Sequence, residues 1–89
     1  EPGVGGSIDF THSARTKQGV DFVVTESSRP RMLVEAKWAD APVDRGLRYL
    51  KERFPDAAAW QVSATGTKDY RTPEGIRVCP APLLLADLV

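Results

Sequence analysis

The chain has 89 residues, 42% of them hydrophobic, and carries twelve basic and twelve acidic side chains. This length fits one small domain, and the balanced charge argues against a protein that holds nucleic acid by bulk charge alone, although it allows a local basic patch. No apolar run approaches the roughly 18 residues of a membrane span, and Cys79 is the single cysteine, which excludes an internal disulfide.

The first part of the chain predicts a linker and a β-hairpin. Residues 1–6, EPGVGG, are rich in Gly and Pro and predict a flexible linker, so that residues 7–89 form a single domain. SIDFTHSA alternates apolar and polar residues, as strands do, and RTKQG suits a hairpin turn. VDFVVTE is then a second strand, and MLVEAKW, which begins after Pro30, is a third.

The segment after the third strand predicts an amphipathic helix. Asp40 is placed to cap its first amides and Pro42 to occupy its first turn. Four apolar residues recur at helical spacing: Val43, Leu47, Leu50 and Phe54. Pro55 follows the last of them and ends the helix.

The remainder predicts two more strands and a second helix. AAAWQVSATG is apolar enough for an interior strand, KDYRTPEG is a polar connection, and IRVCP is a last strand in which Cys79 is a small buried hydrophobe. APLLLADLV predicts a C-terminal helix, and Trp38 and Trp60 are expected as core anchors beneath the first helix. The order β-β-β-α-β-β-α predicts an α/β fold around a mixed sheet.

Three charged residues interrupt the strands in a pattern. Side chains alternate between the faces of a strand, so Asp21 shares a face with Val23, and Glu35 shares a face with Lys37. If the two strands pair as a hairpin, the acid and the Glu-x-Lys pair meet on a common face. Two adjacent carboxylates repel, and the pair is stable only with a proton, a cation or a lysine between them.

Such a pair of carboxylates suits Mg²⁺, with further ligands from water, a substrate phosphate and the carbonyl of Ala36. Lys37 could then orient a water molecule or offset charge on a phosphate undergoing hydrolysis. The alternative is structural: Glu35 and Lys37 form a solvated ion pair, and Asp21 is a charge at the end of a strand.

Basic residues outside this group also have two interpretations. Arg15 and Lys17 near the first turn, and Arg48 and Lys51 on the helix, are candidates for phosphate contacts. The other interpretation is a solvated helix face with ion pairs such as Arg48–Glu52. His12 is expected to be a hydrogen-bonded strand residue.

At these motifs the chain resembles the PD-(D/E)XK, or restriction-endonuclease-like, nuclease superfamily. More closely, it is similar to the C-terminal domain of a group of prokaryotic AAA-type ATPases of unassigned function. The similarity covers roughly residues 13–88. GVDFVV and VEAKW are its specific parts, and the RFPDA passage and the Leu-rich tail support it.

The resemblance implies a restriction-endonuclease-like mixed sheet and assigns roles to three residues. Asp21 matches the metal-binding acid, Glu35 the acid of the E-x-K element, and Lys37 the catalytic lysine; Gln61 falls near a region where some members carry a polar assisting residue. It also implies Mg²⁺ as cofactor, nucleic acid as substrate and the ATPase domain of a larger parent chain as partner.

The family core begins with a helix that is not evident in EPGVGGSIDFTH. We therefore expect a fragment that lacks this N-terminal core helix and pairs as a homodimer through the uncovered sheet. The alternative to a nuclease is a non-catalytic interaction or regulatory module of the ATPase with a degenerate nuclease fold. A single cysteine and the lack of a signal peptide predict a cytoplasmic location and no membrane contact.

Overall fold

The structure, a computed structural model, describes residues 8–11, 22–27 and 29–88. The predicted linker 1–6, the turn before the second strand and the region expected to lack a core helix lie outside these residues. The described elements are, in chain order, β1 (Ile8–Thr11), β2 (Phe22–Glu26), β3 (Arg29–Lys37), α1 (Arg45–Arg53), β4 (Ala58–Ser63), β5 (Tyr70–Arg71), β6 (Ile76–Pro80) and α2 (Ala81–Leu88).

The strands form one mixed sheet in the order β1-β2-β3-β4-β6-β5. β1, β2 and β3 pair antiparallel, as the predicted hairpin requires, with Phe22 opposite Val34. β3, β4 and β6 run parallel, and the two-residue β5 pairs antiparallel with β6. The predicted α/β class and mixed sheet are confirmed, whereas β5 was predicted as part of a connection.

Each face of the sheet carries its own core, because alternate residues of the central strands point to opposite sides. On the α1 face, one buried cluster includes Leu33, Leu47, Leu50, Ala59 and Ile76, with Val43 and Phe54 packed against it. The other face carries Val34, Trp60, Val62, Cys79 and Leu84. The predicted apolar stripe of α1 and the buried state of Cys79 are both confirmed.

Helix α1 begins four residues later than predicted, because Asp44 rather than Asp40 is its N-cap. The Asp44 carboxylate accepts hydrogen bonds from the amides of Gly46 and Leu47, and its backbone is extended (φ −62°, ψ 136°). Asp40 instead accepts hydrogen bonds from the amides of Thr67 and Lys68. The prediction for Asp40 is therefore wrong: its carboxylate fixes a distant loop.

The two tryptophans have opposite environments. Trp60 is buried, as predicted, but it lies in the cluster on the α2 face, so its predicted position beneath the first helix is wrong. Trp38 follows the last residue of β3 and is 77% exposed, so its prediction as a core anchor is wrong. Alternation continued the buried face of β3 from Val34 through Ala36 to Trp38, but burial on this face ends at Val34, because Ala36 is already exposed.

Helix α2 covers the second core with one leucine. Leu84 is buried, whereas Leu83, Leu85 and Leu88 are exposed. Among the helices that the structure describes, none is long and apolar enough to cross a membrane. The expected homodimer stays a prediction.

Candidate functional site

Glu35 lies near the carboxyl end of β3 and its side chain is 1% exposed. It shares the α1 face with Leu33, and it is the register partner of Gln61 in the parallel pair β3–β4. A buried carboxylate is costly unless charged or hydrogen-bonding groups surround it. The acid of the predicted Glu-x-Lys element, Glu35, is therefore shielded from water, and its charge interacts strongly with neighbouring charged groups.

Lys37 lies next to this carboxylate, as strand alternation predicted. Its Nζ is 3.3 Å from Oε2 of Glu35 and 3.0 Å from Oδ1 of Asp44. The hydrogen bond to Asp44, and then the proximity of Glu35, outweigh burial and hold the pKa of Lys37 above its ordinary value. The lysine is consequently a fixed positive charge between two acids.

Asp44 is the site residue that the sequence analysis missed. One of its carboxylate oxygens, Oδ1, accepts from Lys37, and the other, Oδ2, accepts from the amides of Gly46 and Leu47 at 2.9 and 3.2 Å. Burial opposes its ionisation, but Lys37 and these amides outweigh burial and lower the pKa of Asp44. Asp44 therefore links the start of α1 to the end of β3.

Gln61 binds the backbone of residues 41–44, the segment between β3 and α1 that contains Asp44. Its Oε1 accepts from the Asp44 amide at 2.7 Å, and its Nε2 donates to the carbonyls of Ala41 and Pro42 at 3.2 and 3.0 Å. The side chain is buried in the middle of β4. Its amide therefore satisfies one donor and two acceptors of an irregular segment crossing the end of the sheet.

A sequence signal for Asp44 existed, but it was ambiguous. Asp40 precedes the apolar stripe and Pro42 fits a first turn after it, whereas Asp44 follows Val43, the first residue of the stripe. Asp44 lies three residues before Leu47, which is the spacing of a capping side chain and the amide that it binds. Contacts distant in sequence decide between the two. Gln61 binds the Asp44 amide from 17 residues away, and the amides of Thr67 and Lys68 bind Asp40.

Three predicted site residues lie outside the described residues: Asp21, Arg15 and Lys17; so does His12. Val23, which the sequence pattern placed on the same face as Asp21, is buried in the same cluster as Leu33. The predicted faces of β2 and β3 are therefore correct for Val23 and Leu33.

The two basic helix residues make contacts of different kinds. Lys51 donates to the carbonyls of Pro55 and Ala57 at 2.7 and 2.8 Å, so its ammonium binds the backbone that follows the C-terminus of α1. Arg48 pairs with Glu74 at 2.9 Å, and both side chains are largely exposed. Their assignment to nucleic acid stays a prediction, and Arg48 is the more available of the two.

The described side chains supply part of the ligand set that Mg²⁺ needs. Within the described ranges, no three His, Cys, Asp or Glu side chains gather closely enough to hold a metal ion. Mg²⁺ is commonly bound by only one or two carboxylates, together with water and substrate phosphate. Glu35 provides one such buried carboxylate, and the second predicted ligand, Asp21, is outside the described residues.

Comparisons of the chain with family models, with curated proteins and with solved structures find no match in any of the three.

Proposed function

We propose that the chain is a nuclease-like domain that hydrolyses phosphodiester bonds of nucleic acid with Mg²⁺. One observation carries the proposal: Glu35 is almost fully buried, with the Lys37 ammonium 3.3 Å from its Oε2. Both residues lie at the carboxyl end of β3, beside the parallel strand β4. Ligands of open α/β sheets bind outside the carboxyl ends of such strands.

The second metal-binding acid in this proposal is Asp21. The register of β2 and β3 places Val23 opposite Leu33, and the two pack together on the Glu35 side of the sheet. The sequence pattern assigns Asp21 to the same face as Val23. The role of Asp21 therefore rests on that sequence pattern.

Each residue has a distinct task in the proposed reaction. Asp21 and Glu35 would hold Mg²⁺, and the ion when bound would make its water more acidic and neutralise charge on the phosphate. Lys37 carries a fixed positive charge, which orients the attacking water and stabilises negative charge that develops on the phosphate oxygens. Arg48 lies on α1, where it could contact the nucleic-acid backbone, and loss of this contact would weaken the salt dependence of binding.

Titration calorimetry with Mg²⁺ or Mn²⁺ tests the proposed site directly. We expect the wild-type chain to bind one ion, and Asp21→Ala and Glu35→Gln each to abolish the binding heat. Glu52→Gln is the matched control, because it removes an exposed carboxylate of α1. Binding that survives both site substitutions would overturn the metal site.

A cleavage assay with single- and double-stranded DNA and RNA tests the reaction. We expect Mg²⁺-dependent cleavage by the wild type, loss with EDTA, and loss in Lys37→Met even where the ion still binds. Metal binding without cleavage of any of these substrates would contradict hydrolysis and leave the ion site intact.

A second function is favoured by one observation, the contact of Lys37 with two acids. A lysine engaged by Asp44 and Glu35 also fits a purely structural ion network. In this alternative the chain is a non-catalytic module that docks on an AAA-type ATPase domain and regulates it. It predicts no cleavage, and co-purification with such a domain supplied in trans that survives Glu35→Ala.

A further inference from the structure

We infer that Asp44 is the positioning residue for Lys37, and that Gln61, from the middle of β4, fixes Asp44 in turn. The positioning itself is independent of catalysis, whereas its effect on phosphodiester hydrolysis rests on the proposed function. The inference assigns roles to two residues outside the Glu-x-Lys pattern, and the geometry of three side chains carries it.

The Asp44 carboxylate is itself immobilised. Its Oδ2 is held by the amides of Gly46 and Leu47 at the start of α1, so its Oδ1 has a fixed direction. That oxygen accepts from Lys37 at 3.0 Å. A lysine side chain has a flexible four-carbon stem and a compact charge, so an external anchor is needed to hold its ammonium at one place. Asp44 is such an anchor.

Gln61 fixes the backbone of that anchor. A primary amide offers one carbonyl oxygen and two N–H donors, and in Gln61 all of them contact the segment from residue 41 to residue 44. Its position in the sheet is set by β3 and β6 on either side. The placement of Lys37 is thus determined by β4 as well as by its own strand.

A purely structural role for Asp44 predicts something different. Capping of α1 requires only a side-chain oxygen, which Asn and Ser also supply. Pairing with the ammonium of Lys37 is strongest for a charged carboxylate. Asp44→Asn therefore retains the cap and weakens the anchor, and it separates the two roles.

NMR of the Lys37 side-chain ammonium in the ¹⁵N-labelled full chain measures the anchor without any substrate. We expect a protected, slowly exchanging Lys37 signal in the wild type, and its loss in Asp44→Asn, with the Gly46 and Leu47 amide signals retained. Asp40→Asn is the matched control: its carboxylate binds amides of another loop, and the Lys37 signal should stay.

Gln61→Met keeps the length of the side chain and removes its hydrogen bonds. We expect faster exchange of the Lys37 ammonium in this variant and an altered Asp44 amide signal. A Lys37 signal unchanged in both Asp44→Asn and Gln61→Met would overturn the inference. If Asp44→Asn does not fold, Asp44→Ser, which also keeps a capping oxygen, is judged by the same criterion.

The cleavage assay then separates this inference from the proposed function. If the wild type cleaves, we expect Asp44→Asn to lower kcat by about 10- to 100-fold with KM nearly unchanged. A change in KM alone would contradict positioning of a reacting group. If the wild type does not cleave, the proposed function fails, and the ammonium signal still decides whether Asp44 positions Lys37.

Discussion

Glu35 and Gln61 are register partners in the parallel strands β3 and β4, and their side chains are both buried. The two polar groups differ in what they do for the fold. Gln61 satisfies an amide and two carbonyls of the connection before α1. Glu35 approaches Lys37, which has a second acidic partner in Asp44. We therefore expect the fold to depend on Gln61 more than on Glu35.

Replacement of Glu35 by Met tests this difference. Lys37 retains Asp44 in the variant, so no positive charge is left without a partner, and burial of an apolar side chain avoids the desolvation of a carboxylate. We expect the free energy of unfolding in urea to be unchanged or raised by about 1 kcal/mol, with loss of Mg²⁺ binding. A decrease above about 3 kcal/mol would mean that Glu35 is primarily structural.

The pH dependence of stability reports the Asp44–Lys37 contact. The pKa of Asp44 is lowered in the folded chain, so the unfolded chain binds its proton more readily. The resulting stabilisation is fully present above the ordinary aspartate pKa of about 3.9 and is lost as the pH falls through the lower folded value.

Asp44→Asn should therefore flatten the acid side of the stability profile. We expect the variant to be less stable than the wild type near neutral pH and to lose less stability as the solution is acidified. Urea midpoints measured across the acid range check this expectation. If the stability of the two proteins changed equally with pH, Asp44 would make no contribution to the pH dependence of stability.

The elements of the fold were largely predictable because they follow local patterns. Alternation in β3 separated Leu33 from Val34 and assigned Glu35 and Lys37 to one face, and helical spacing identified the buried stripe of α1. The adjacency of Glu35 and Lys37 followed from a period of two along one strand. These inferences need only a single segment.

The errors concern properties that involve two segments or the end of one. Asp40 and Asp44 both suit a cap in sequence. The choice depends on segments distant along the chain, because Gln61 binds the Asp44 amide and two amides of the 67–68 loop bind Asp40. Trp38 continues the alternation of β3, but the cover on this face ends at Val34, since Ala36 is already exposed. Strand β5 has two residues, and its pairing with β6 has no signature in so short a segment.

The two tryptophans provide a matched pair for stability. Trp60 is buried against the α2 face and lies under the guanidinium of Arg77, 5.6 Å from the ring centre. We expect Trp60→Ala to lower the free energy of unfolding by about 3–5 kcal/mol. Trp38→Ala should change it by less than about 0.5 kcal/mol, since its side chain is mostly in water. Similar losses in both variants, measured in urea, would contradict the assigned environments.

Gly66 provides a test of the loop that lies beside the end of β3. A Cβ at this position would collide with the carboxylate of Asp40, which is held by the amides of Thr67 and Lys68, and with the hydroxyl of Ser63. The loop or these side chains must therefore shift. We expect Gly66→Ala to lower the free energy of unfolding by about 1–3 kcal/mol.

A double-mutant cycle with Asp40→Ala isolates the part of this collision that is due to Asp40, because the Ser63 hydroxyl is present in both backgrounds. Asp40→Ala removes the carboxylate, so Gly66→Ala should cost less in that background than in the wild type, with a coupling of about 0.5–3 kcal/mol. Gly75→Ala is the control, because φ at Gly75 is +94° and no Asp40 atom lies near its added Cβ. Its cost arises from backbone strain and should be equal in both backgrounds. An equal cost of Gly66→Ala in the two backgrounds would show that the Asp40 carboxylate moves freely and does not fix the loop.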